Sequence, residues 1–129
     1  MTILIKDETF AGKILNEISL DFKTEIVTVR DIICERVFKE VSYYNSKLPE
    51  YFNGLVEPTD AEKTLNGYKL KPKQIIDGEK QAYVALDAFQ KNAFFLLIDT
   101  IQSESLEQEV ALRKDTTISF IKLTPLVGG

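Results

Sequence analysis

Five consecutive apolar residues, Phe94-Phe95-Leu96-Leu97-Ile98, constrain the fold of this chain most. A run of that length reads as a strand covered on both faces, or as a central strand with an exposed binding surface. Even with Ala93 added it falls far short of the ~18 apolar residues that cross a bilayer. Asp99-Thr100 turns the chain, and Ile101-Gln102 forms a short return strand. Thr116 to Leu123 is the last strand, with Ile118 and Phe120 on one face and Ser119, Ile121 and Leu123 on the other. At the other end of the sequence, Thr2 to Lys6 alternates Ile3 and Ile5 with polar neighbours, as a half-buried strand does. Asp7 to Gly12 reads as a turn, and Ile14 to Phe22 resumes the alternation through Ile18, Leu20 and Phe22. These two strands predict an antiparallel hairpin.

Between hairpin and apolar run the period changes. Thr28 can cap a helix from about Val29 to Ser46, with Asp31 favourable at its amino end. Its apolar face carries Ile33, Val37 and Val41, widened by Ile32, Phe38 and Tyr44. Cys34 lies one position from Ile33 and reads as a packed thiol, not a nucleophile. Pro49, Asn53-Gly54, Pro58, Asn66-Gly67 and Pro72 then break the chain from Leu48 to Ile76 into a long irregular connection with short local structure. Tyr51, Phe52, Leu55, Val56, Leu65, Tyr68 and Leu70 make it too apolar for a disordered linker. Asp77 can cap a second helix of about Gly78 to Asn92, with Ala82, Leu86 and Phe89 on one face. Ser103 to Leu112 is acidic and irregular, anchored by Leu106 and Val110, with room for a helical turn.

Composition narrows the function. A chain of 129 residues suits one compact domain. Its net charge of −4 and scattered lysines and arginines disfavour a nucleic-acid partner. The sequence contains no histidine, which rules out Ser-His and Cys-His nucleophile pairs and zinc sites that use His. An enzyme is therefore the least expected class, and neither a metal nor a cofactor is expected. The single cysteine fits a reducing compartment. The first residues carry Lys6, Asp7 and Glu8 with no apolar signal segment, so the expectation is a cytoplasmic chain without a membrane span.

The sequence ends Leu123-Thr124-Pro125-Leu126-Val127-Gly128-Gly129. Two glycines remove every Cβ beside the carboxylate, so this backbone can thread a channel too narrow for side chains. Pro125 ends the last strand and biases Thr124 toward extended geometry, leaving residues 124-129 as a flexible tail on a domain spanning 1-123.

The order hairpin, capped helix, strand, short strand, helical turn and final strand running into Gly-Gly resembles the α+β ubiquitin-like β-grasp, a mixed sheet packed on a helix. The local match runs from Phe95-Leu96-Leu97-Ile98 through Leu106 and Lys114-Asp115-Thr116-Thr117-Ile118-Ser119-Phe120 to Gly128-Gly129. It covers about 1-46 and 94-129; the long connection and second helix, about 48-93, are an insertion. That insertion and the tail Pro125-Leu126-Val127 are similar to the bacterial ubiquitin-like modifiers encoded beside an activating enzyme, a conjugating enzyme and a JAMM-type protease.

The resemblance implies a chemistry in which partners hold all catalytic residues. A carboxylate is a poor acyl donor until joined to AMP, so an ATP-dependent activating enzyme would adenylate Gly129. The acyl group would pass as a thioester to the conjugating enzyme and end as an amide, an isopeptide bond when the target amine belongs to a lysine; the JAMM-type protease would reverse the step. Conjugation would fall on Gly129 with Gly128, and partner recognition on the tail and sheet face, namely Val127, Leu126, Pro125, Leu123 and Ile121, with Ile121 the best single candidate because Ile118 and Phe120 fill the opposite face. Two other readings use the same residues differently. A sulfur carrier would turn the adenylate into a thiocarboxylate, and a noncovalent interaction module would carry its diglycine incidentally.

Overall fold

The computed structural model describes residues 1–59, 61–70 and 74–123. The expected tail geometry at 124–129 and the break at Pro72 lie outside the described residues. The protein is α+β, with a mixed sheet and two helices, in two compact units: Met1–Ile32 with the described residues from Ala88 onward, and Ile33–Asp87.

In the first unit, strands β1 (Thr2–Glu8) and β2 (Ile14–Asp21) form the expected antiparallel hairpin. The strand β3 (Ile26–Thr28) leads into helix α1 (Val29–Lys47). Thr28 and Asp31 exchange bonds at its start: Asp31 N–H donates to Thr28 Oγ1 at 3.1 Å and Thr28 N–H to Asp31 Oδ2 at 2.9 Å. Two orphan donors are thereby satisfied, which is why the helix begins where the sequence predicts. The unit continues with β6 (Phe94–Ile98), β7 (Ile101–Gln102), β8 (Glu109–Ala111) and β9 (Ile118–Lys122). The numbers four and five belong to a hairpin of the second unit, β4 (Ala61–Thr64) and β5 (Gly67–Leu70).

The main sheet has the order β2-β1-β9-β6-β7. Only the central pair, β1 with β9, is parallel; β9–β6 and β6–β7 are antiparallel. This arrangement is compatible with a β-grasp. Its covered face is built by alternation: Ile3 and Ile5 of β1, Leu20 of β2, Ile118 and Phe120 of β9, and Phe94 and Leu96 of β6 are all buried. Phe94 also packs its ring at 5.8 Å from Phe120 and 6.1 Å from Phe89.

Three expectations change. Asp7 lies in β1, not in a turn, and is buried between Asn16 and Phe120 in the ladders, because pairing on both sides holds the backbone extended. The acidic stretch after Ser103 holds no helix; Leu106 and Val110 do anchor it, but Glu109–Ala111 pairs antiparallel with Ile26–Thr28. The last strand starts at Ile118 because Thr116 closes a turn, its Oγ1 accepting Arg113 N–H at 2.8 Å.

The second unit holds most of α1, the β4–β5 hairpin and most of helix α2 (Gly78–Gln90). Asp77 caps α2 through Oδ1, which accepts Glu79 N–H at 3.0 Å and Lys80 N–H at 3.2 Å. Polar anchors fasten the irregular connection. Fully buried Arg36 donates from Nε to Glu40 Oε1 at 2.5 Å, while Glu40 Oε2 accepts Leu55 N–H at 2.9 Å. Asn45 clasps Ile76 from both sides, accepting its N–H at 2.8 Å and donating to its carbonyl at 2.9 Å. Gln81 Nε2 reaches Val56 O at 2.9 Å. Gly54 is required here: a Cβ would run into the Phe52 ring and lie 2.6 Å from Glu40 Oε2. Tyr44, edge-on to Phe52 at 5.5 Å, is buried and its phenol is pushed above the ordinary value by desolvation.

Candidate functional site

Of the residues the sequence assigns to partner recognition, Ile121 lies in the final strand and Leu123 directly follows it. β9 is the middle strand of five, bonded in parallel to β1 and in antiparallel fashion to β6. A strand paired on both sides presents no free edge, and Leu123 follows it directly. Of the predicted residues, Pro125, Leu126, Val127, Gly128 and Gly129 lie outside the described residues.

Alternation from the covered residues Ile118 and Phe120 puts Ser119, Ile121 and Leu123 on the outer face. Ile121 stands opposite Phe95 of β6 and beside Glu8 of β1. It is only 8% exposed, because a central-strand residue is flanked by side chains from both neighbours. Leu123 is 40% exposed. The apolar area offered to a partner therefore comes from residues around Ile121.

Phe10 is the most exposed of them. It sits in the turn between β1 and β2, is 71% exposed, and brings its ring to 5.9 Å from Phe95 at an interplanar angle of 59°. Ile14 and Leu15, at the start of β2, are exposed as well. Sequence reasoning missed Phe10 because it falls in a segment read only as a turn. The available signal was a large aromatic among Glu8, Thr9 and Gly12, where no local conformation requires one. The turn is closed by Thr9 O accepting Gly12 N–H and by Thr9 N–H donating to Lys13 O, both at 2.9 Å, with Gly12 at φ +85°. It holds Phe10 outward.

An exposed aromatic leaning on a half-buried one, next to the end of a rigid strand, has the chemistry of a protein-recognition surface. Among the described residues no three His, Cys, Asp or Glu side chains are placed to hold a metal ion. No helix of the described residues is long and apolar enough to cross a membrane. No family model, curated protein or solved structure matches this chain.

Proposed function

We propose that this protein is a ubiquitin-like modifier in which Gly129 supplies the reactive carboxylate. An activating enzyme adenylates it with ATP, releasing pyrophosphate. A cysteine thiolate of that enzyme then displaces AMP to give a thioester, which passes to a conjugating enzyme. A target amine attacks the thioester, forming the amide and freeing the thiol. This chain contributes the carboxylate, the narrow Gly128-Gly129 backbone and a docking face; a JAMM-type protease hydrolyses the amide.

The observation that carries the reading is the placement of β9. The strand that precedes the diglycine is the centre of the sheet, parallel to β1, in a strand order compatible with the β-grasp. The apolar face of Phe10, Phe95 and Leu123 lies at the same strand end, where an enzyme gripping the tail would meet it.

Removing Gly128 and Gly129 abolishes every ATP-dependent adduct formed in lysate of the source cell. Phe10→Ser leaves the fold intact and slows adduct formation by about ten-fold, the effect of losing one apolar anchor. Adducts that persist after the diglycine is removed would refute the reading. A free chain whose terminal oxygen is replaced by sulfur would favour the carrier.

A further inference from the structure

The pair Asn-Gly occurs twice, as Asn53-Gly54 and Asn66-Gly67, and both copies lie in the second unit. At such a pair a chain attacks itself most readily: the amide nitrogen after the asparagine reaches the side-chain carboxamide carbon, and glycine offers no side chain to obstruct it. In a folded protein the reaction needs a main chain free to turn and water at the ring that forms. Neither carboxamide is held by a hydrogen bond among the described residues, so the main chain decides between the two copies.

At the first copy the main chain is clamped. Gly54 is buried, and a Cβ there would run into the Phe52 ring and lie 2.6 Å from Glu40 Oε2. Before Asn53, Phe52 N–H donates to Tyr68 O at 2.7 Å and Tyr68 N–H to Phe52 O at 2.9 Å. After Gly54, Leu55 N–H donates to Glu40 Oε2 at 2.9 Å.

The second copy is at the tip of the β4–β5 hairpin. Asn66 is exposed, next to Leu65 at 89% exposure. The ladder ends at the pair Thr64 and Gly67, and an end pair at an exposed tip is the first to open. The Thr64 hydroxyl braces it, accepting Asn66 N–H at 3.2 Å and donating to Gly67 O at 2.6 Å.

We propose that Asn66-Gly67 is a site of spontaneous modification in the folded protein, deamidating through a succinimide while Asn53-Gly54 is protected. The Gly67 nitrogen gives its proton to solvent base and attacks Asn66 Cγ; the new C–N bond expels the side-chain nitrogen as ammonia. Water then opens the ring at either carbonyl, giving aspartate or isoaspartate without any oxidant or cofactor. Isoaspartate adds a methylene to the main chain between Thr64 and Gly67 and a carboxylate to the tip. The site goes beyond the modifier reading and does not depend on it, since neither the tail nor the sheet face takes part.

The test ages the full chain in warm, mildly alkaline buffer, folded and in parallel unfolded in urea. Trypsin then separates the two sites into the segments Leu48–Lys63 and Thr64–Lys69. In urea both segments should gain, at similar rates, the small mass by which OH exceeds NH2. In the folded chain Thr64–Lys69 should convert at least about ten-fold faster than Leu48–Lys63, with separate isoaspartate and aspartate products. Thr64→Val, which removes the brace, should speed that conversion about three-fold. Asn66→Gln should abolish it on the same timescale, because the longer side chain must close a larger ring. The proposal is overturned if Asn53 converts as fast as Asn66 in the folded chain, or if Asn66 stays intact there over the time in which the unfolded chain converts it.

Discussion

The two units are fastened by different means. The sheet unit is held by backbone ladders and an alternating apolar face, in which Ile5, Leu96 and Phe120 are wholly enclosed. Among the described residues the second unit has one short hairpin, and its irregular chain is pinned by side chains bonding to the backbone: Glu40 to Leu55, Asn45 to Ile76 and Gln81 to Val56. Apolar packing is tolerant of small changes in direction, whereas a polar anchor works only at its own geometry. Substitutions should therefore be graded by volume in the first unit and by chemistry in the second.

The largest effect is expected in the sheet. Leu96→Ala leaves a cavity at a fully enclosed site of a strand paired on both sides, and should cost about 4 kcal/mol in denaturant unfolding. Leu96→Met, which conserves volume, should cost under ~1.5 kcal/mol. Next comes the polar anchor. Glu40→Ala removes the carboxylate that pairs with buried Arg36 and accepts the Leu55 N–H, for about 3 kcal/mol. Adding Arg36→Met should recover part of that loss, because it removes the buried charge and its desolvation cost while the Leu55 N–H still lacks its acceptor. No recovery in the double variant would mean that the anchor acts through shape and not charge, and the contrast between the units would fail.

Gly54→Ala should cost about 2 kcal/mol, since the added methyl group meets Phe52 and Glu40. The smallest change runs the other way. Asp99 and Thr100 turn β6 into β7 with φ of 49° and 70°, a conformation that a β-branched residue resists. Thr100→Gly should raise stability by about 1 kcal/mol in the same unfolding measurement.

The same contrast explains what the sequence made legible. Period-two alternation in Ile3/Ile5 and Ile118/Phe120, the run at Phe94–Ile98 and the caps Thr28 and Asp77 are local signals, and each sits where it was expected. The β3–β8 pair escaped notice because three-residue strands carry almost no period, and their partner lies some eighty residues away. Arg36 and Glu40 are spaced four apart on the stripe that also holds Ile33, Val37 and Tyr44, which is a visible pattern. That a guanidinium would be enclosed there depends on Phe52, Gly54 and Leu55 closing over the helix, which no local pattern encodes. On the outer face, the alternation gave Ile121 its side but not its exposure, which is set by Phe95 across the strand pair, with Phe10 adding the exposed aromatic beside it.

The central claim is that Gly129 forms an amide with a target. The most direct measurement adds isotope-labelled chain and ATP to lysate of the source cell, then digests the higher-mass labelled material with trypsin. Lys122 is the last basic residue, so trypsin leaves the segment from Leu123 to Gly129 attached to the modified amine. The account predicts a labelled Leu-Thr-Pro-Leu-Val-Gly-Gly branch on a lysine of another protein. A labelled chain that stays at its own mass, in a lysate that conjugates a control modifier, would contradict it.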